Sequence, residues 1–128
     1  MENKKILLIG GSGSLGNAFI KKHIEYNEIY VYSRDECKHW IMQLDYNNHK
    51  NLKFIIGNVC DKDKIQQTIL RHNFHLIINA AAMKHIDKCE YESNECLNTN
   101  ILGPQNLVNL IETFKNELTN LECCCYIS

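Results

Sequence analysis

The chain has 128 residues, with 14 basic and 15 acidic side chains and a formal net charge of −1 at pH 7. That length suits a single domain over residues 1–128, and the balanced charge gives no reason to expect nucleic acid or an anionic membrane as a partner. No apolar run approaches the ~20 residues of a membrane span, and the charged N-terminus leads into a strand pattern rather than a signal peptide, so we expect a soluble, cytoplasmic protein.

The first elements are an apolar strand, a glycine-rich turn and a helix. Residues 5–9 read as a parallel strand buried on both faces, and a helix is predicted over about 14–26. Gly10 permits a tight turn, Gly13 removes the side chain where a phosphate must approach, and Gly16 lets the helix pack closely on the strand. The first helical amides and their partial positive charge favour an anion. An ordinary structural turn is the alternative, but the strand-turn-helix context favours nucleotide binding.

The rest of the chain alternates strand-like apolar runs with helical periodicity. Strands are predicted over 28–32, 52–57, 76–79 and 121–127. Helical segments are predicted over 35–44, from about 61 with Asp61 as the cap, and over about 92–117 with a bend or break at Pro104. The side chains expected to make the apolar contacts of the first three helices are Leu15, Ala18, Phe19, His23 and Tyr26, then Trp40, Ile41 and Leu44, then Ile65, Thr68, Ile69 and Leu70.

This alternation predicts βαβ units and an α/β, Rossmann-like fold of three layers. Right-handed crossovers on both faces would arrange about five parallel strands in the order 3-2-1-4-5. In such a sheet the ligand crevice lies at the carboxyl ends of strands one and four.

The seven cysteines lack the paired spacing of a zinc site, so reduced, mostly buried thiols are expected and no metal is predicted. Cys123, Cys124 and Cys125 are consecutive in a predicted strand and would alternate between its faces. They therefore cannot complete a four-ligand metal site by themselves.

The end of the second strand indicates which nicotinamide cofactor would fit. An acid directly after this strand would accept hydrogen bonds from a ribose 2′-hydroxyl and repel a 2′-phosphate. Ser33 and Arg34 instead offer hydrogen-bond donors and positive charge, which favours NADP over NAD. The alternative is that Arg34 only caps a surface turn beside Asp35 and Glu36.

Two further strand ends suit contact with a cofactor. Asn58 follows the third strand and can donate and accept hydrogen bonds at an adenine edge. Ala80, Ala81 and Ala82 follow the fourth strand, and their small side chains permit a close approach, although they also suit plain packing.

Five motifs occur together in a recognisable order. They are GGSGSLGNAF at 10–19, YSRDE at 32–36, GNVCDK at 57–62, NAAAMKHIDKCEY at 79–91 and TNILGPQNL at 99–107. With them the chain resembles the amino-terminal part of an extended short-chain dehydrogenase/reductase, most similar to the UDP-N-acetylglucosamine 4,6-dehydratases of polysaccharide biosynthesis. The resemblance covers essentially the whole chain but less than half of a typical family member. It implies an NADP cofactor and a nucleotide-sugar substrate.

The resemblance also implies roles for individual residues. Gly10, Gly13 and Gly16 would hold the pyrophosphate, with loop contacts from Ser12, Ser14 and Leu15. Ser33 and Arg34 would take the 2′-phosphate, and Asn58 and Val59 would flank the adenine. Ala80, Ala81 and Ala82 would lie along the nicotinamide-side ribose, Lys84 and His85 would form a wall between cofactor and sugar, and Asn100 matches the family's helix-four asparagine.

Two positions depart from the family pattern. Ile9 stands where a threonine is usual, and Asn58 stands where an aspartate is usual. The first loses a hydroxyl that stabilises the turn, and the second loses a charged acceptor while keeping an amide oxygen. Weakened rather than abolished cofactor binding is the expected consequence.

The resemblance implies that this chain holds the cofactor-binding residues but not the catalytic residues of the family. Family enzymes oxidise the sugar at C4 with NADP, eliminate water and return the hydride to C6, using an Asp-Lys pair and a YxxxK motif that follow the fifth strand. Only Ser128 reaches the start of that region, so it is the sole weak catalytic candidate and turnover by this chain is not expected. The sequence therefore predicts an NADP-binding segment of a nucleotide-sugar dehydratase. A noncatalytic NADP-binding pseudoenzyme or partner subunit of a complete homologue, and a fold without a ligand, are the alternatives. Self-association or pairing with a homologue is expected.

Overall fold

A computed structural model describes residues 1–10, 13–58, 61–80 and 103–126. The strands are β1 (Lys5–Ile9), β2 (Glu28–Ser33), β3 (Leu52–Ile56), β4 (Leu76–Asn79) and β5 (Cys123–Tyr126). The helices in these ranges are α1 (Ser14–His23), α2 (Glu36–Asp45), α3 (Lys62–His72) and α4 (Gly103–Thr113).

The strands form one parallel sheet in the order β3-β2-β1-β4-β5, which confirms the predicted Rossmann-like α/β fold. The strand positions were predicted to within two residues at every end that the structure describes. The long fourth helix was predicted to continue to 117, but α4 ends at Thr113, and residues 92–102 of that prediction lie outside the described residues.

Both faces of the sheet are buried, which explains the continuous apolar run of β1. Successive side chains of a strand point to opposite faces, so a strand covered on both sides needs apolar residues throughout. On one face β1 packs with α3 and α4 through Leu7, Ile9, Ile65, Ile69, Leu107 and Leu110. On the other it packs with α1 and α2 through Ile6, Leu8, Ile20, Ile24 and Met42.

The predicted buried face of α1 is confirmed for Phe19, which packs against the core, but is otherwise misplaced. Gly16 and Ile20 are its buried residues, whereas Leu15 is exposed and Tyr26 lies beyond the end of the helix with 65% of its surface exposed. The helix also ends at His23 rather than at 26, because the buried Asn27 amide donates to the His23 carbonyl (3.0 Å). Two neighbouring stripes of a short helix carried apolar residues, and periodicity alone did not decide between them.

The apolar contacts predicted for α2 are also wrong. Trp40, Ile41 and Leu44 are all exposed, and the helix packs on the sheet through His39 and Met42 instead. Those two residues are three apart, so they share a face of the helix. In α3 the prediction is confirmed for Ile65, Thr68 and Ile69, and Asp61 caps the helix by accepting the Lys64 amide (3.1 Å), but Leu70 is exposed.

The three consecutive cysteines alternate between the faces of β5 as predicted. Cys124 is half-buried against the α3/α4 face, and burial raises the pKa of its thiol to about 11. Cys123 and Cys125 share the opposite face, with their sulfur atoms 3.2 Å apart. The expectation of mostly buried thiols is wrong for the described cysteines, because Cys37, Cys123 and Cys125 are exposed.

Among the described residues no group of three or more His, Cys, Asp or Glu side chains has the arrangement of a metal site. In the same ranges no helix combines the length and apolar character that crossing a membrane requires.

Candidate functional site

The carboxyl ends of four strands meet at one edge of the sheet. Backbone hydrogen bonds continue the ladder past the strand ends: Gly57 donates to Ser33 (3.0 Å), Gly10 to Tyr32 (2.7 Å) and Ala80 to Ile9 (2.8 Å). Four separate segments that contain predicted site residues, or directly precede them, therefore lie in one row along this edge. Their order across the row is Gly57, Ser33, Gly10 and Ala80.

Gly10 makes the turn that leaves β1. Its φ of 76° lies in the left-handed region, where any other residue would be strained, so the first glycine of the motif has a backbone reason to be glycine. Its amide is held by the Tyr32 carbonyl, which anchors the turn to the end of β2.

Gly13 precedes α1 at the N-cap position and faces open space. A Cβ built on it would meet no atom within 4 Å, and no side chain caps the helix there. The Asn17 side-chain amide donates to the Gly13 carbonyl (3.1 Å), which fixes the position of this residue on the first turn. With no acidic residue in that turn, the amides and the positive end of the helix dipole are available to an anion.

A cavity of about 280 Å³ lies beside α1 and brings together Leu15, Gly16 and Ala80 of the predicted site. Phe19 and Ile78 add apolar surface to its wall. Ser33, Arg34 and Asn58 do not line this cavity. They belong to the β2–β3 end of the same sheet edge.

Asp35, the first acidic residue after β2, caps helix α2. The Asp35 carboxylate accepts the Lys38 amide (3.0 Å) and caps α2, so one of its oxygens is already occupied. Arg34 directly before it is exposed. That Ser33 and Arg34, and not an acid, meet a ligand at this strand end stays a prediction.

Ser33 has a buried partner that sequence reasoning missed. A hydrogen bond of 2.7 Å joins its Oγ to Nε2 of His39, which is only 4% exposed. Burial lowers the pKa of His39, and the nearby Asp35 and Glu36 oppose that shift in part. The usable signal was the spacing of Ser33 and His39 across the short turn into α2.

Tyr32 is a second residue that sequence reasoning missed. Its hydroxyl donates to the Asn58 carbonyl (2.8 Å), and its fully buried ring lies directly under Gly57. The ring thereby holds the segment that was predicted to flank adenine. A tyrosine inside an apolar strand gave no separate signal of this role.

Tyr46 and Lys50 have the spacing of the catalytic tyrosine and lysine of the resembled family, but the geometry argues against that role. The Tyr46 hydroxyl lies 3.2 Å from the backbone oxygen and 3.1 Å from the side-chain oxygen of Asn17, so it joins the end of α2 to α1. Burial raises the pKa of Tyr46, whereas a catalytic tyrosine needs greater acidity.

The remaining site predictions fall outside the described residues. They are Ser12, Val59, Ala81, Ala82, Lys84, His85, Asn100 and Ser128.

A family profile described as "Polysaccharide biosynthesis protein" matches residues 6–120. The chain belongs to this family. It is 39% identical over 108 residues to a UDP-N-acetylglucosamine 4,6-dehydratase (inverting) of Campylobacter jejuni, covering 82% of the chain and 31% of the relative. It is 36% identical over 125 residues to a UDP-glucose 4-epimerase of Rickettsia prowazekii, covering 93% of the chain and 35% of the relative. The predicted family resemblance is confirmed.

Solved structures agree with this placement. The X-ray structure of Pen from Bacillus thuringiensis matches with a TM-score of 0.85 and 26% identity, over 98% of this chain and 37% of that one. Bordetella bronchiseptica WbmG, crystallised in complex with NAD, shares the fold with a TM-score of 0.77 and 20% identity, over 98% of this chain and 37% of that one. The chain spans about one third of the length of the curated relatives it matches. It is homologous to nucleotide-sugar dehydratases and epimerases, and an NAD(P) cofactor fits this placement.

Proposed function

We propose that this chain binds NADP as the cofactor-binding portion of a nucleotide-sugar 4,6-dehydratase. The observation that carries the proposal is the start of α1. Gly10 turns the chain in a left-handed conformation, and Gly13 leaves the uncapped first turn open to solvent. A dinucleotide pyrophosphate is the anion that such a turn accepts in this fold.

The choice of NADP over NAD rests on the β2 end. Arg34 follows Ser33 directly in the sequence, and its positive charge and the serine hydroxyl both suit a phosphate better than a neutral ribose hydroxyl. Asp35, the first carboxylate in the segment, is engaged as the cap of α2. Bound NADP would supply a hydride acceptor, while the described residues would hold its adenosine and pyrophosphate.

The nucleotide-sugar substrate is proposed from the similarity to the curated relatives. The Campylobacter jejuni relative is a 4,6-dehydratase and the Rickettsia prowazekii relative is an epimerase, and the chain is slightly more identical to the former. Acid-base chemistry on the sugar is proposed for groups outside the described ranges.

Fluorescence titration of the purified chain with NADPH and NADH tests this function. We expect saturable binding of NADPH, with weaker binding of NADH. Circular dichroism on the same sample verifies that the protein is folded. Folded protein that binds neither nucleotide would refute the proposal, and tighter binding of NADH would refute the choice of NADP.

Replacing Arg34 with alanine is expected to weaken NADPH binding by about tenfold, because a charge-assisted contact to the phosphate is lost. NADH affinity should change by less than about twofold, since it lacks that phosphate. The matched control is Lys21→Ala, which removes one exposed positive charge from the last turn of α1, at the other end of that helix from Gly13. Equal losses for both nucleotides, or an equal effect of the control, would contradict the role assigned to Arg34.

A further inference from the structure

The Ser33 hydroxyl is held from two sides at the end of β2. His39 Nε2 lies 2.7 Å from Oγ, and the Asp35 amide donates to the same oxygen at 3.3 Å. The histidine itself is fixed, since its amide donates to the Asp35 carbonyl (3.1 Å) and its ring contacts Phe54 at a centroid distance of 4.9 Å. The hydroxyl is therefore oriented by rigid parts of α2 and β3.

The burial of His39 decides which ring nitrogen carries the proton. Nδ1 is buried and has no hydrogen-bond partner among the residues that the structure describes. If Nδ1 carried the proton, an N–H donor would be buried without an acceptor, the rarer of the two unpaired states in proteins. If Nε2 carries it, the ring donates to Ser33 and leaves only an unpaired acceptor. The second tautomer is favoured, and its Nε2–H donates to Ser33 Oγ.

This tautomer determines what Ser33 offers to a ligand. A serine oxygen has two acceptor sites and one proton to donate. The two acceptor sites are taken by the His39 ring and the Asp35 amide, so the proton remains for an outside acceptor. A hydroxyl in this state cannot accept from a ribose 2′-hydroxyl. It can still donate to the ribose oxygen, but its bond to a charged phosphate oxygen is about twice as strong, so the phosphate is favoured.

We infer that His39 is a positioning residue that directs the Ser33 hydroxyl proton outward and thereby selects a 2′-phosphate over a 2′-hydroxyl on the adenosine ribose. This inference rests on the proposed function, because it assumes that the adenosine end of the cofactor lies at the carboxyl end of β2. His39 does not touch the ligand. It acts through Ser33.

Isothermal titration calorimetry, which measures the affinity of the full chain for adenosine 2′,5′-bisphosphate and adenosine 5′-monophosphate, tests the inference. His39→Phe keeps an aromatic ring beside Phe54 and removes the nitrogen donor. We expect this variant to bind the bisphosphate about fivefold more weakly and the monophosphate with an affinity within about twofold of the wild type. His39→Gln retains an amide donor and should recover bisphosphate affinity to within about twofold of the wild type.

A double-mutant cycle with Ser33→Ala separates positioning from a general packing role. Ser33→Ala should weaken bisphosphate binding by about tenfold, and adding His39→Phe should cause little further loss because the hydroxyl is already absent. Thermal denaturation provides the stability control. His39→Phe should melt at the same temperature as the wild type or higher, because it removes an unpaired buried nitrogen.

The outcomes distinguish this inference from the proposed function. Folded wild-type protein that binds neither adenosine nucleotide would overturn the proposed function. Wild-type protein that prefers the bisphosphate, together with unchanged binding by His39→Phe, would overturn the inference alone. Equal losses for both nucleotides, or losses that add in the double variant, would also overturn it by showing a merely structural role.

Discussion

Replacing Gly57 with alanine is expected to destabilise the fold by about 1–3 kcal/mol, because the added methyl group has no room. A Cβ at this position would lie 2.5 Å from Cζ and 2.8 Å from Cε2 of Tyr32. The ring is fully buried, and its hydroxyl is held by the Asn58 carbonyl (2.8 Å), so it cannot turn away without losing that bond. Thermal denaturation should show a Tm lower by roughly 4–15 °C.

Two comparisons make the Gly57 experiment specific. Gly13→Ala is the matched control, since a Cβ there meets no atom within 4 Å and stability should fall by no more than about 1 kcal/mol, roughly the difference between glycine and alanine at an N-cap. Truncating the ring with Tyr32→Leu should make the further change at Gly57 less costly by about 1 kcal/mol. Additive losses in the double variant would mean that the ring is not the obstacle.

The sheet could be predicted because the hydrophobic pattern of each strand indicates how the strand is buried. The run from Ile6 to Ile9 is apolar at every position, and a short run of this kind that ends at a glycine is typical of a strand buried on both faces. The strand order followed from the right-handed crossover rule and needed no knowledge of individual contacts. The apolar run is a local feature of the sequence, and the crossover rule holds for parallel sheets in general. Neither depends on how individual side chains pack.

The helix faces were not predictable in the same way. In α2 the sequence offers His39 beside Trp40 and Ile41, and hydrophobicity alone places the tryptophan and isoleucine inside. The structure reverses this choice, since His39 is 4% exposed and Trp40 is 63% exposed. The hydrogen bond to Ser33 and the Phe54 contact offset the cost of burying the imidazole, and both partners lie outside the helix.

Features of the candidate site that depend on backbone conformation could be predicted from the sequence. Features that depend on side-chain packing could not. Gly10 was assigned to a tight turn from its spacing, and its positive φ confirms that turn. The phosphate role of Gly13 stays a prediction, although the position is open to solvent. Gly57 was assigned only to a strand end, because its need for glycine arises from a ring one strand away. Long-range steric pairs of this kind leave no pattern in a single sequence.

Replacing Gly13 with alanine is expected to weaken NADPH binding by about tenfold to a hundredfold while leaving the fold intact. The added methyl group would project into the open space before α1, where the pyrophosphate must approach the first amides of the helix. Hydrogen bonds from N–H to oxygen need a distance of about 2.7–3.2 Å, so a displaced phosphate loses a contact to a charged acceptor that is worth about 1.5–3 kcal/mol. Fluorescence titration at a temperature well below the Tm measures the loss.

A ligand without the pyrophosphate shows whether this loss arises at Gly13. Adenosine 2′-monophosphate should bind the Gly13→Ala variant as well as it binds the wild type, because its phosphate belongs at Ser33 and Arg34 in the proposed arrangement. Gly57→Ala and Gly13→Ala should therefore give opposite results, the first losing stability and the second losing pyrophosphate affinity. If Gly13→Ala binds NADPH like the wild type, the start of α1 does not hold the pyrophosphate. The open space before the helix would then be an ordinary feature of the turn.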